Sequence, residues 1–239
     1  MVMHSFLPEA PLGGGLLGRV QYWFACVFVM GWTGVVCGGL FYQFGLWEYP
    51  CPLCVVQRMF MLLAAMGAAH IVHTALTRGT VTGRDYMTGW GLALVAVIGG
   101  SFTSWRQTML HVLPGDKGYG SEVFGLHLYV WAWILFQASV VAVGVVMAFA
   151  HATADRAVPA EGEGAYRTVG LAALWFLGLV IAVNLVAVFL EEGFHWFLPD
   201  DPARYQFFYD VGILDEPPAT PPPATPPVVP PAVPPVVPR

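Results

Sequence analysis

Five stretches of this chain, at about 21–46, 52–76, 87–105, 126–150 and 168–190, are long, apolar and almost free of charge. A helix that crosses a bilayer needs about 20 mostly apolar residues, and each stretch comes close to or exceeds that length. In lipid a backbone must satisfy its own N–H and C=O groups, so segments of this kind are predicted to be helices. The composition leads to the same place. Charged residues make up 10% of the chain and hydrophobic ones 57%, whereas a soluble domain carries about 25% charge. The net charge of −5 leaves no basic footprint for nucleic acid. The fold expected is all-α and integral to a membrane. The first stretch is too long for a cleaved leader and is followed by no A-x-A site, so it is expected to remain as a helix. The third, "MTGWGLALVAVIGGSFTSW", is rich in glycine, which lets helices approach closely.

Arginine and lysine placement sets the expected orientation. Arg19, Arg78, Arg84, Arg156 and Arg167 fall on the side of the N-terminus, and Arg58, Arg106 and Lys117 on the other. That bias puts residues 1–20 and the 151–167 loop in the cytoplasm. It puts the start of the second span, the 106–125 loop and the C-terminus outside. After the fifth span comes an acidic and aromatic segment, 191–216, in which Asp201-Pro202 predicts a short helix over about 203–210. Residues 217–239 are a proline-rich, low-complexity tail, expected to be disordered or extended.

At the lip of the second span stands "EYPCPLCVVQRM". Cys51 and Cys54 lie three apart, with Pro52 at a first-turn position where its missing N–H costs nothing. A helix N-terminus favours thiolate over thiol, and the thiolate is the species that attacks a disulfide. Arg58 falls on the same helix face one turn below Cys54. A charge at that depth is expensive and usually functional. It suits either steadying a thiolate or hydrogen-bonding a polar acceptor that arrives through the membrane, and a lipid-soluble quinone fits the second role. Three other readings stand beside this one. The pair could be a structural disulfide, although so short a loop gains little from closure. It could belong to a zinc or other soft-metal site completed by His111, His127 or His195, as in a membrane metal-handling or assembly protein. Arg58 could simply snorkel to the interface.

The remaining candidates are plainer. Cys26 and Cys37 lie roughly 16 Å apart along one helix at 1.5 Å per residue, too far to bond to each other, and read as small hydrophobes. His70, His73 and His151 sit at the opposite end of their spans and suit headgroup solvation better than haem ligation. His127 is a candidate proton carrier or an interfacial side chain, and Asn184 a helix–helix hydrogen-bond contact.

The segment "EYPCPLCVVQR" resembles the disulfide bond formation protein B (DsbB) family, in which a Cys-x-x-Cys pair opens the second helix and an arginine follows four residues later. "SWRQTMLH" and "GLHLYVWAWILF" resemble it more weakly. The likeness covers residues 21–150 and stops before 168. It implies a four-helix transmembrane bundle, here with a fifth transmembrane helix and a disordered tail added, in a bacterial inner membrane. It implies oxidation of a periplasmic thioredoxin-like (DsbA-type) dithiol protein, with electrons passed to ubiquinone or menaquinone. By position, Cys54 resembles the cysteine beside the quinone, Cys51 its disulfide partner and Arg58 the quinone-binding arginine, with Arg106 and His111 as further quinone-side residues. The family's second cysteine pair, in the loop before the fourth helix, has no counterpart here, because "RQTMLHVLPGDKGYGSEVFGLH" contains no cysteine. Either Cys51 meets the partner directly, or a separate protein supplies the missing pair, or the chain is a divergent member with another task; the first is the simplest, and with so short a loop it leaves Cys51 the more exposed.

Overall fold

A computed structural model describes residues 16–158 and 164–215; residues 1–15, 159–163 and 216–239, the proline-rich tail among them, lie outside the described residues. Among the described residues five helices are long and apolar enough to cross a membrane: α1 (Leu16–Gly45), α2 (Pro52–Arg78), α3 (Gly83–Leu110), α4 (Leu128–Ala148) and α6 (Ala165–Glu192). Two short helices, α5 (Ala150–Thr153) and α7 (Phe207–Asp210), complete the helical set. Strand β1 (Thr80–Val81) pairs antiparallel with β4 (Arg156–Ala157), and β2 (Glu122–Val123) with β3 (Leu126–His127). The first pair clasps the end of the bundle opposite the cysteines. The second is a tight hairpin at the thiol end.

Local chemistry sets these boundaries. Cys51 is the N-cap of α2, its sulfur accepting from the Cys54 N–H at 3.3 Å, and Pro52 occupies the first turn. Gly79 ends the same helix in the left-handed conformation (φ 64°), donating its N–H to Ala75 O. Thr82 caps α3 by accepting from Asp85 N at 3.2 Å, and its hydroxyl donates to the Asp85 carboxylate. The short terminal helix begins later than Asp201-Pro202 predicts. The chain is anchored to the end of α6 by Gln206 N–H to Glu191 O (3.3 Å) and by Asp210 accepting from Phe194 N (2.8 Å). The helix starts only after Gln206, and Asp210 at its end supplies the second tie.

Helix α2 lies at the centre, packed against α1, α3 and α6, while α3 carries α4 and α6 also leans on α1. Its interior face is built from Ala64, Ala65, Ala68, Ala75 and Gly67, and it meets Gly89, Ala93 and Ala96 of α3. A Cβ added at Gly67 would stand 2.6 Å from the backbone nitrogen of Ala93, so the glycine is what permits this crossing. The outward faces are apolar: Trp175 is 78% exposed and Val95 70%, as expected of helices solvated by lipid. Asn184 is buried, but its Oδ1 has no hydrogen-bond partner, so the interhelical contact expected of it is not made through that atom.

The α2–α3 crossing gives a direct test. Gly67→Val forces backbone apart from backbone and should destabilise the folded protein by about 1–3 kcal/mol. Gly34→Ala meets nothing within 4 Å, and removing an interior helical glycine should hold or raise stability by up to about 1 kcal/mol. Melting curves in detergent compare the two directly, and equal destabilisation would refute the close-packed crossing.

Candidate active site

The thiol pair sits where α2 begins, beneath two loops that are tied together. Tyr119 donates its hydroxyl to Tyr49 O at 2.6 Å, and Ser121 gives both its backbone N–H and its hydroxyl to the Glu48 carboxylate. Residues 119–121 are thereby strapped onto 48–49. Under this strap Cys51 is only 7% exposed. This corrects the expectation that Cys51 is the more exposed: the loop's Tyr119 and Ser121 are tied to Tyr49 and Glu48 and hold it down beside the sulfur.

Both cysteines are free thiols, and their sulfurs are 2.8 Å apart. The Cys51 thiol is pushed well above its usual pKa, first by its hydrogen bond to Cys54 Sγ and then by burial. Gln107, buried on α3, places Nε2 at 3.3 Å from each sulfur. Gln57 Nε2 donates to Gln107 Oε1 at 2.7 Å, which fixes the amide so that its N–H groups face the sulfurs. Donors aimed at sulfur stabilise developing negative charge there.

Arg58 is buried, 8% exposed, and reaches across to α1. Its Nη1 donates to Gln43 Oε1 at 2.6 Å and its Nη2 to Gly39 O at 2.9 Å. A Cβ at position 39 would stand 3.0 Å from Arg58 Nε, so the glycine makes room for the guanidinium against the α1 backbone. Gln43 is held from its other end by Glu191 at the close of α6: Gln43 Nε2 donates to Glu191 Oε2 at 3.2 Å. This buried Arg58–Gln43–Glu191 chain is not snorkelling.

Arg58 and Cys54 line one cavity of about 190 Å³ between α1, α2 and α4, roofed by Tyr49 and Tyr119 and walled by Gly39 and Tyr129. Trp32 of α1 stacks on Phe136 of α4, ring centroids 4.7 Å apart. Beside that stack an apolar groove lined by Phe28, Gly31 and Ser139 shares Val35 and Leu135 with the cavity and continues down the α1–α4 seam. Cys51 is not among the lining residues.

Of the residues singled out from the sequence, the structure brings together Cys51, Cys54 and Arg58. It does not bring Arg106 or His111 to the cavity. Arg106 is exposed on the outside of α3. His111 follows α3, with Nδ1 3.2 Å from Asp116. Asp116 is held below the usual carboxylate range by the Gly118 N–H and then by His111. The physical reason for Arg106 is helical phase. The buried positions of α3 run through Val97, Gly100 and Ser104 to Gln107, so the neighbour of Arg106 is the residue that faces inward. Gln43, Gln57 and Gln107 were legible only as three uncharged polar side chains near the thiol ends of apolar spans. His127 lies 3.3 Å from Glu122 and stacks on Tyr129, and His195 pairs with Asp210. Among the described residues no three His, Cys, Asp or Glu side chains gather into a metal-binding group.

The fold and site define a class: an all-α, multi-pass membrane protein with a dithiol at one end of its bundle, set beside a cavity that holds a buried arginine. Residues 21–121 match the family model described as Disulfide bond formation protein DsbB. It is 38% identical over 86 residues to a disulfide bond formation protein B of Chromobacterium violaceum, covering 36% of this chain and 48% of that protein. A Polaromonas naphthalenivorans protein of the same name is 29% identical over 98 residues, covering 41% and 55%. The chain spans about half the length of the curated relatives it matches. No solved structure gives a significant match.

Proposed function

We propose that this protein is a membrane thiol–disulfide oxidoreductase that oxidises a thioredoxin-like dithiol protein and delivers the electrons to a membrane quinone, ubiquinone or menaquinone. In this reading it lies in a bacterial inner membrane with its thiol end outside. One observation carries the reading: Cys54 and Arg58 line the same cavity, and an apolar groove along the α1–α4 seam adjoins it, sharing Val35 and Leu135. At about 190 Å³ the cavity is smaller than the roughly 300–1,000 Å³ of sites for drug-sized ligands. That is room for one substituted ring, with the groove suited to an isoprenoid tail. A quinone bound there supplies an acceptor for two electrons and two protons.

The chain's own residues do the rest. In the oxidised protein Cys51 and Cys54 share a disulfide. A thiolate of the partner attacks Cys51 Sγ, the Cys51–Cys54 bond breaks, and Cys54 leaves as thiolate, received by Gln107 Nε2. The partner's second thiolate then displaces Cys51 and completes the partner's disulfide. The two electrons and two protons of the partner's dithiol now reside on the Cys51–Cys54 pair, and reoxidation of that pair at the cavity closes the cycle. Arg58 presents its guanidinium to an acceptor oxygen, its orientation set by Gln43 and Gly39. For the partner to reach Cys51, the 119–121 strap must shift off 48–49.

The test is reconstitution. Purified protein in lipid nanodiscs, given a reduced thioredoxin-like protein and a short-chain ubiquinone or menaquinone, should reduce one quinone per disulfide formed, followed optically. No quinone reduction with either quinone, or repeated turnover of the dithiol beyond one disulfide per enzyme without it, would refute the proposal.

A further inference from the structure

Glu191 stands against two rules of protein electrostatics. It lies in the last turn of α6, where the helix dipole disfavours negative charge, and it is buried, 1% exposed, where a carboxyl group is costly unless partnered. Its Oε2 accepts from Gln43 Nε2, while its Oε1 has no partner. The cation within its electrostatic reach is Arg58. Gln43 joins the two, with its carbonyl oxygen on the guanidinium and its amide nitrogen on the carboxyl group. An amide can serve both ends only in one orientation. If the acceptor at Glu191 is lost, Gln43 Nε2 is left buried without that partner and the side chain is held from the Arg58 end alone, so the two can swing together. The segment that follows α6 closes over the same place: Tyr205 packs against Tyr49 (5.0 Å between centroids) and Phe44 (6.4 Å), above the cavity roof. Neither Glu191 nor Tyr205 falls within residues 21–121, the part of the chain that matches the family model.

We infer that Glu191 is a positioning residue of the quinone cavity: the fifth membrane helix supplies a carboxyl group that fixes Gln43 and, through it, the direction in which Arg58 points. The inference rests on the quinone reading above and adds to it a site component from outside the matched domain.

The experiment measures equilibrium binding of a short-chain ubiquinone to the full-length protein by quenching of tryptophan fluorescence, since Trp131 lines the cavity. Glu191→Leu should weaken binding about ten-fold. Glu191→Gln keeps an oxygen acceptor for Gln43 and should restore affinity to within about two-fold of the original. Gln43→Leu should weaken binding as much as Glu191→Leu, and the double variant no more than either, because both act through one link. If Glu191→Leu does not fold by its melting curve, Glu191→Asp, whose shorter stem withdraws the oxygens from Gln43, takes its place with the same expected loss. Original affinity in Glu191→Leu, no recovery in Glu191→Gln, or multiplied losses in the double variant would overturn the inference. Arg58→Leu separates the two levels. If it loses quinone while Glu191→Leu does not, this inference alone fails. If both bind as the unaltered protein does, the quinone reading fails with it.

Discussion

Cys54→Ser should abolish turnover, lowering quinone reduction by at least about 10³-fold, the scale expected when a reacting nucleophile is removed. Serine at 54 cannot form the disulfide that the partner's thiolate must break, and it cannot leave as a thiolate in front of Gln107. Cys51→Ser should lose turnover as completely. The two variants differ in a second measurement. Cys54 lines the cavity and Cys51 does not. A bound short-chain quinone should therefore slow alkylation of Cys54 by a membrane-permeant maleimide in Cys51→Ser. It should leave alkylation of Cys51 in Cys54→Ser unchanged, slow in either case because that sulfur is buried. Measurable turnover in Cys54→Ser would remove the thiol pair from the reaction. Equal protection of both sulfurs would remove the asymmetry on which their separate roles depend.

What the sequence disclosed and what it withheld divide along a physical line. The five spans were legible because lipid imposes length and apolarity one segment at a time. The thiol pair and Pro52 were legible because capping is local, settled among residues 51–54. Arg58 was legible because a charge inside an apolar span is conspicuous. Arg106 was misleading for a related reason: charge attracts attention, but helical phase decides direction, and the inward residue is its uncharged neighbour Gln107. Glu191 was withheld because nothing near it in the sequence says which helix α6 will touch. Only its docking on α1 and α2 brings the carboxyl group to Gln43. The burial of Cys51 was withheld because it depends on loop residues about 70 positions away, Tyr119 and Ser121, returning to Tyr49 and Glu48.

The missing second cysteine pair becomes more specific once that burial is known. A loop with its own cysteines could carry electrons from a surface-bound partner to a buried pair. Here the same loop instead seals the pair. The strap consists of three hydrogen bonds at the end of the bundle, one from Tyr119 to Tyr49, worth about 1 kcal/mol net, and two from Ser121 to the Glu48 carboxylate, worth about 1.5–3 kcal/mol each. Opening it is within thermal reach, so direct attack by a partner on Cys51 needs no additional carrier. The burial also shields the pair from adventitious thiols.

Arg58→Leu should raise the quinone KM about 30- to 150-fold, the consequence of losing one charge-assisted hydrogen bond worth about 2–3 kcal/mol. Single-turnover exchange between the resting disulfide and the dithiol partner should stay within a few-fold of the unaltered protein, because that step does not use the cavity. Arg58→Lys should behave more like leucine than its charge suggests. The guanidinium spans Gln43 Oε1 and Gly39 O at 2.6 and 2.9 Å with two separate nitrogens, and one ammonium cannot hold both acceptors and still face the cavity. Removing the cation also leaves Glu191 buried without the positive charge in its electrostatic reach, which is destabilising. Arg58→Leu should therefore melt lower, and Glu191→Leu added to it should recover part of that loss, since two apolar groups pack where one stranded carboxyl group could not. An Arg58→Leu protein with an unchanged quinone KM would show that the guanidinium does not face the acceptor. An Arg58→Leu protein whose stability falls further when Glu191 is also replaced would show that the two charges are not energetically linked.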